Sequence, residues 1–140
     1  MNDPDCIFCK IVQGSIPALR VWETADCLAF LDVAPLAEGH VLLVPKQHYQ
    51  DIRDVPLELL AALTAQLPAL ASAVISATDA TGLNLLQNTG RSSGQAVFHL
   101  HFHLIPRTEG DGLGYRWNAG AYEPGRAETM QADIANALKR

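Results

Sequence analysis

The sequence predicts an α+β domain in which a largely antiparallel sheet of about five strands packs with one long central helix and two shorter terminal helices. Short apolar runs of strand length alternate with segments of helical periodicity, so that helix, strands, helix, strands and helix follow in order. The 140 residues are 49% hydrophobic, which suffices for a core without disulfides. No internal repeat or linker divides them, so we expect a single domain over residues 1–140.

The first half of the chain holds a short helix and three strands. The helix begins at Asp5, which belongs to the residue types that favour the N-cap, and it ends at Gly14. Residues 18–23 and 27–32 predict a hairpin, because a polar turn separates two runs of strand character. Residues 40–45 predict a short apolar strand.

The central helix extends from Pro56, a residue suited to a first turn, to about Asp79. No residue between Leu59 and Thr78 is charged, and that length is sufficient to cross a bilayer. The segment is nevertheless rich in Ala, Ser and Thr, and neither Lys, Arg nor an aromatic anchor flanks it. We therefore expect no membrane span but a helix buried against the sheet and a second subunit, kinked or split at Pro68.

The second half of the chain contains two further strands and the last helix. Residues 83–87 and 97–106 predict the strands, and a loop at 88–95 joins them. A glycine-rich turn follows, and residues 125–139 predict a C-terminal helix with one apolar face. The sequence assigns no role to the aromatic residues between that turn and the helix, which are Tyr115, Trp117 and Tyr122.

The charge and the cysteines exclude some functions. A net charge of −5 argues against nucleic-acid binding through a broad basic surface. The first residues are acidic and lack the basic and apolar regions of a signal peptide, so a reducing cytoplasm is expected. In that compartment the Cys6 and Cys9 pair indicates metal or redox chemistry rather than a structural disulfide, and Cys27 is interpreted as buried packing.

The most informative pattern is the alternation of His99, His101 and His103 with Leu100 and Phe102. A period of two places the three imidazoles on one face of a strand. Histidine has no packing advantage there over valine or isoleucine, so the pattern favours chemistry over surface polarity.

The loop at 88–95 leads into these histidines and offers donors for an oxyanion, namely the amides of Asn88 and Gln95 and main-chain N–H groups near Gly94. A neutral imidazole is a nucleophile towards phosphorus, and a protonated one neutralises developing charge. These features predict phosphoryl or nucleotidyl transfer through a phosphohistidine, with no metal required for the chemistry. We rank a three-histidine zinc centre second, because side chains about 7 Å apart along a strand are stretched for one ion.

Several segments resemble, in order, those of the histidine triad (HIT) family of nucleotide-binding proteins. They cover residues 5–107 and leave 108–140 as a C-terminal extension; the segments are Cys6-Ile-Phe-Cys-Lys-Ile, Ile16-Pro, Leu28-Ala-Phe-Leu-Asp, Gly39-His-Val-Leu-Leu-Val-Pro-Lys-Gln-His, and Asn84 to Pro106. The resemblance implies the HIT-like fold and a homodimer joined by its long helices and strands. It also implies an enzyme that cleaves the α-phosphate linkage of phosphoramidates, mixed anhydrides or dinucleoside polyphosphates. The alternative is a nucleotide-binding interaction protein with incidental hydrolysis.

The resemblance also implies roles for individual residues. It makes His101 the nucleophile that takes up the α-phosphate, His103 the phosphate contact, and His99 the first triad histidine. His40 matches the fourth histidine of the site, and Asp32 matches the carboxylate that accepts from the ribose hydroxyls of a purine nucleotide. The other nucleotide-binding positions form a base pocket (Ile7, Phe8, Ile11, Phe30, Leu31, Val33 and Leu42) and a phosphate side (Asn88, Gly94, Gln95, Ala96 and Val97).

Two further expectations come with the resemblance. Members with this C-x-x-C pair it with histidines at the corresponding positions, so we expect a structural zinc ion at Cys6, Cys9, His48 and His99; the alternative is a metal-free pair of thiols. Ala96 stands where many members have Ser or Thr, whose hydroxyl donates to the leaving group. Its absence argues against efficient phosphoramidate cleavage and leaves that proton donor unassigned.

Overall fold

The computed structural model describes residues 2–113 and 119–138 of the chain. Its elements are α1 (Ile7–Gln13), β1 (Arg20–Glu23), β2 (Cys27–Leu31), β3 (Val41–Pro45), α2 (Leu57–Thr64), α3 (Leu67–Thr78), β4 (Gly82–Leu86), a 3₁₀ turn (Arg91–Ser93), β5 (Phe102–Arg107) and α4 (Arg126–Ala137). The strands lie in the order β1-β2-β3-β5-β4, and all four pairings are antiparallel. The predicted α+β class is therefore confirmed.

Each face of the sheet carries its own core. On one face, α2 and α3 bury Leu63, Leu70 and Val74 against the strands. On the other face, the short helix α1 buries its apolar side against β2 and β3; this core contains Phe8, Cys9, Ile11, Leu28, Phe30, Leu42 and Val44. The helix that covers this second face, α1, is seven residues long.

The predicted central helix is split, as its proline suggested. Residues 65–66 form a turn between α2 and α3, and Pro68 occupies the first turn of α3, where its missing N–H costs no hydrogen bond. The whole segment Leu57–Thr78 has the length and mean hydropathy (1.7) of a membrane-crossing helix. It packs on the sheet through one side only, and Leu57, for example, is 82% exposed in the single chain.

Two boundary predictions are wrong. The N-cap of α1 is Cys6 and not Asp5, because the Cys6 Sγ accepts the N–H of Cys9 at 3.4 Å. The last strand begins at Phe102, so His99 and His101 precede it. A hydrogen bond of 2.7 Å joins Nδ1 of His101 to the carbonyl of His99, and residues two apart on an extended strand are about 7 Å apart, which requires a bend here.

The C-terminal helix α4 has no buried residue, and Ile134 is 56% exposed. Of the three aromatic residues with no assigned role, Tyr122 is 66% exposed. Tyr115 and Trp117 lie outside the described residues.

Candidate functional site

The five histidines of the chain gather into two neighbouring groups on the α1 face of the sheet. We define the Cys–His cluster as Cys6, Cys9, His48 and His99, and the phosphate cluster as Asp32, His40 and His103 with the adjacent His101. Potential ligand atoms lie within 4.8 Å of one another throughout the Cys–His cluster and among Asp32, His40 and His103. The hydrogen bonds of each ring decide what each group can do.

The Cys–His cluster brings together three segments of the chain. Helix α1 supplies the two thiols, the loop after β3 supplies His48, and the bend before β5 supplies His99. Nδ1 of His99 lies 3.3 Å from Sγ of Cys6, 3.5 Å from Sγ of Cys9 and 3.2 Å from Nδ1 of His48. Two thiols and two imidazoles at such distances match the donor set of a closed tetrahedral zinc site.

The tautomer of His99 also fits a metal ligand. Its Nε2 lies 2.8 Å from the carbonyl oxygen of Pro45, and a carbonyl only accepts, so Nε2 carries the proton and Nδ1 is bare. The ring is completely buried, which lowers the pKa of His99 to about 4 and keeps the imidazole neutral at pH 7. A bare Nδ1 aimed at two thiols is the arrangement that zinc ligands require.

The outer contacts of the cluster support the same conclusion. The main-chain N–H of Asp3 donates to Sγ of Cys9 at 3.4 Å, and its carboxylate lies 3.9 Å from Nε2 of His48. Burial raises the pKa of the Cys6 thiol, so a metal that binds here must displace its proton. The residues therefore fit zinc, and the sequence-based set of four ligands is brought together in full.

The phosphate cluster has the opposite hydrogen bonding. The main-chain N–H of Leu36 donates to Nδ1 of His40 at 3.1 Å, so that nitrogen is bare and Nε2 of His40 carries the proton. Nε2–H then donates to Nδ1 of His103 at 2.9 Å, which leaves the proton of His103 on its Nε2. The result is a directed chain of donors that ends on an N–H of His103.

This chain of donors argues against a metal at the phosphate cluster, although a carboxylate and two imidazoles meet there. Oδ2 of Asp32 lies 3.8 Å from Nε2 of His40, yet that nitrogen holds a proton and cannot coordinate. Moving the proton to Nδ1 of His40 would set two donors, Nδ1–H and the N–H of Leu36, against each other. The three-histidine zinc centre at His99, His101 and His103, which we ranked second, is also disfavoured. His103 carries its proton on Nε2, and the ring of His99 belongs to the other cluster.

His101, the adjacent member of the phosphate cluster, is bonded to His99 of the Cys–His cluster. Its Nδ1–H donates to the His99 carbonyl at 2.7 Å, which leaves Nε2 as a bare nitrogen. Burial lowers the pKa of His101, so that nitrogen is uncharged near neutral pH. The ring of Phe8 meets the ring of His101 edge to face at 5.1 Å, and the ring of His103 lies 4.9 Å away.

Most of the predicted base pocket is found on the α1 face, and one member is not. Phe8, Ile11, Phe30 and Leu42 pack together there, with Val97 of the predicted phosphate side against them, while Ile7 and Val33 are 46% and 88% exposed. The side chain of Leu31 lies apart from them: successive strand residues point to opposite faces, so it packs with the core under α2 and α3.

The loop before the histidines differs from its predicted role. The N–H groups of Gly94 and Gln95 are taken by the carbonyls of Arg91 and Gly90, so neither is available to an oxyanion. The side chain of Gln95 is buried and bonds the main chain of Gly90, Gln50 and Val97, which makes it a brace for the loop. The amide nitrogen of Asn88 lies close to Gly94, and Ala96 is exposed.

Several groups that complete the site were not predicted. The carbonyl of Pro45 and the N–H of Leu36 set the tautomers of His99 and His40, but main-chain groups leave no signature in side-chain patterns. The contact between Asp3 and His48 was also missed. Its only signal was an acidic residue shortly before the C-x-x-C.

Comparison with known proteins agrees with this geometry. The family model described as the HIT domain matches residues 13–110. The chain is 41% identical over 135 residues to an adenosine 5′-monophosphoramidase of Schizosaccharomyces pombe, covering 96% of this chain and 98% of that protein. It is 43% identical over 109 residues to an adenylylsulfatase of Arabidopsis thaliana, covering 78% of this chain but only 55% of that longer relative.

Solved structures agree as well. A Streptococcus mutans protein superposes with a TM-score of 0.94 at 38% identity, over 99% of this chain and 88% of that one. A zinc-bound histidine triad family protein of Mycobacterium smegmatis superposes with a TM-score of 0.75 at 38% identity, over 94% of this chain and 97% of that one.

Proposed function

The chain belongs to the HIT domain family, and we propose that it is a nucleotide hydrolase that cleaves the α-phosphate linkage of nucleoside 5′-phosphate derivatives through a covalent intermediate on His101. The observation that carries this proposal is the hydrogen bond from Nδ1–H of His101 to the His99 carbonyl. It presents Nε2 as an uncharged nucleophile in a fixed orientation.

The reaction has two steps. In the first, Nε2 of His101 attacks the α-phosphorus, and the bond from phosphorus to the leaving group breaks with its electron pair going to that group. In the second, water attacks the phosphorus, the phosphorus–nitrogen bond breaks with its electron pair returning to Nε2, and the water gives up a proton to solvent. The nucleoside monophosphate is then released.

The phosphate cluster supports the transferring phosphoryl group. Burial and neighbouring imidazoles lower the pKa of His103 to about 4, so it acts as a neutral donor through Nε2–H, and His40 holds it in that tautomer. No acceptor is found among the described residues for the N–H groups of Ala96 and Val97, and we propose these two as main-chain donors for a phosphoryl oxygen. Asp32 stands beside His40 to accept from the ribose hydroxyls of a purine nucleotide.

The substrate class follows from the leaving group. Ala96 has no hydroxyl, and the hydroxyls of Ser93 and Thr89 donate to groups within the loop. An amine must gain a proton to leave, whereas sulfate, carboxylate or phosphate leaves as an anion. We therefore propose that mixed anhydrides are cleaved faster than phosphoramidates, a preference measured by comparing kcat/KM for one substrate of each kind.

Turnover and trapping test the proposed function. Wild-type protein, quenched during turnover of an adenylate anhydride, should carry one nucleotidyl group on His101 by mass spectrometry. His101→Ala should lower kcat on the order of 10⁴-fold while AMP affinity changes only a few-fold. Negligible wild-type turnover of anhydride, amidate and diadenosine polyphosphate alike would favour the alternative, a nucleotide-binding interaction protein.

We also propose that the Cys–His cluster holds one structural zinc ion per chain. The support is the donor set, the bare Nδ1 of His99 and the zinc-bound relative. When bound, zinc would link α1 to the loop after β3 and to the bend before β5, and it takes no part in the phosphoryl transfer. Metal analysis of the purified protein should give about one equivalent per chain.

We further propose that the chain works as a homodimer in a reducing cytoplasm. In the described sheet, β4 is an edge strand with five residues whose outer side is open for pairing, and Leu85 on it is 47% exposed. The exposed side of α2 and α3 adds apolar surface next to it. Sedimentation should show a dimer, and Leu85→Glu should shift it to the monomer.

A further inference from the structure

His99 belongs to both groups of the site, through different atoms. Its ring lies in the Cys–His cluster, with Nδ1 facing the thiols and Nε2–H bonded to Pro45. Its main-chain carbonyl accepts the Nδ1–H of His101. The orientation of that carbonyl therefore depends on where the ring of His99 is held.

The main chain around His99 has little other support. Residues 97–101 form neither helix nor strand. Their main chain is tied to its surroundings by a hydrogen bond from the N–H of Leu100 to the carbonyl of Tyr49 and by one from the Gln95 amide to the carbonyl of Val97. A bend held by so few main-chain bonds relies on its side chains for its conformation. The ring of His99 is completely buried and is one of these anchors, beside the equally buried side chain of Leu100.

A second contact leads from the same cluster to His101. Phe8 lies between the two cysteines on α1, and its ring meets His99 at 5.9 Å and His101 at 5.1 Å. Holding both thiols fixes the rotation of this short helix, and hence the position of the ring that packs on His101. Two independent routes, one through a carbonyl and one through an aromatic ring, thus connect the cluster to the same imidazole.

We propose that metal binding at the Cys–His cluster positions the nucleophile, by fixing the His99 carbonyl and Phe8 so that His101 keeps its proton on Nδ1 and its bare nitrogen towards the substrate. This inference rests on the proposed zinc site and extends the proposed function. His99 is accordingly a positioning residue, and the metal site and the nucleophile form one coupled unit. Coupling of this kind is reciprocal, so loss of the His101 ring must weaken metal binding.

The reciprocal effect supplies the sharpest test. Zinc affinity is measured by chelator competition, without nucleotide, for wild type, His101→Ala and the matched control His103→Ala. The His103 ring bonds to His40 and contacts no member of the Cys–His cluster. We expect His101→Ala to weaken zinc binding about fivefold or more and His103→Ala to change it less than twofold; equal zinc affinity in all three proteins overturns the proposal.

A spectroscopic measurement tests the same coupling through the effect of zinc on the tautomer of His101. In zinc-loaded wild type, the ring carbon and nitrogen shifts of His101 should report one Nδ1–H tautomer at fixed pH. In protein stripped of metal under reducing conditions they should report a mixture, with kcat falling on the order of 10²-fold. Unchanged His101 shifts in stripped protein that remains folded contradict the coupling.

These outcomes are separable from those of the proposed function. Zinc affinity and ring shifts are recorded without substrate, so they stand or fall whether or not His101 forms a nucleotidyl intermediate. A failure to trap that intermediate, with the zinc coupling intact, overturns the hydrolase mechanism alone.

Discussion

The two histidine groups lie side by side and use the same residue type, yet the structure prepares one for a metal and the other for protons. In the Cys–His cluster, the carbonyl of Pro45 takes the Nε2 proton of His99 and turns a bare nitrogen towards the thiols. In the phosphate cluster, the N–H of Leu36 donates to Nδ1 of His40. The proton of His40 therefore lies on Nε2, which faces Nδ1 of His103.

The comparison shows that one main-chain group sets the tautomer of each of His99, His40 and His101. When one ring nitrogen donates to a carbonyl, the other ring nitrogen keeps its lone pair, which suits a metal ligand or a nucleophile. When one ring nitrogen accepts from an amide N–H, the other ring nitrogen carries the proton, which suits a hydrogen bond to a phosphoryl oxygen. His101 follows the first rule, because its Nδ1–H donates to a carbonyl, and this is why we propose it as the nucleophile although it lies next to the donors.

The largest effect is expected from removal of one thiol of the Cys–His cluster, which tests whether this group, unlike the phosphate cluster, holds a metal. Cys6→Ala should abolish the bound zinc, because three remaining ligands cannot close a tetrahedral site. Zinc held about 1,000-fold above its Kd stabilises by about 4 kcal/mol, so the melting temperature should fall by about 10 °C. Metal analysis and thermal unfolding measure the two results.

Cys27 provides the matched control for that prediction. It is also buried, but it lies on the other face of the sheet and has Thr24 as its hydrogen-bond partner. Cys27→Ala should therefore keep a full equivalent of zinc. Zinc retained in the Cys6 variant, or lost in the Cys27 variant, contradicts the assignment of the ligands.

An intermediate effect is expected from the phosphate cluster. His40→Phe keeps the size of the ring but removes the proton that holds His103, so the His103 N–H no longer points reliably at the phosphate. We expect kcat to fall about 10- to 100-fold with zinc content unchanged. Loss of zinc from this variant would show that the two groups are not separate in the way their hydrogen bonds indicate.

Much of this site could be predicted from the sequence, and the remainder shows where pattern reasoning stops. The alternation of His99, His101 and His103 indicated chemistry, but it implied one strand face, and the structure bends the chain so that His99 turns to the cysteines. The period of two is a property of extended backbone, and a single hydrogen bond between neighbours is enough to end it. The sequence could not reveal that bond.

The loop before the histidines carries the same lesson. Gly94 and Gln95 looked like anion donors by residue type, but the tight turn at residues 91–93 uses their N–H groups internally. The N–H groups that can bind an anion are therefore those without an acceptor inside the turn. Which N–H groups these are depends on the turn type rather than on the residue composition.

The smallest expected effect is a near absence of pH dependence, and it tests the protonation states on which the comparison rests. Burial lowers the pKa of His101, and it lowers that of His103 to about 4, so both rings stay neutral as the pH falls from 8 to the usual histidine pKa near 6.5. For a substrate with no group that titrates in this range, kcat/KM should change less than about twofold. In the unfolded chain these histidines take up protons near pH 6.5, before the folded chain does, so the free energy of unfolding should decline as the pH falls from there towards 4. An acid limb of kcat/KM centred near pH 6.5, in protein that still holds its zinc, would show that His101 or His103 titrates as an exposed imidazole.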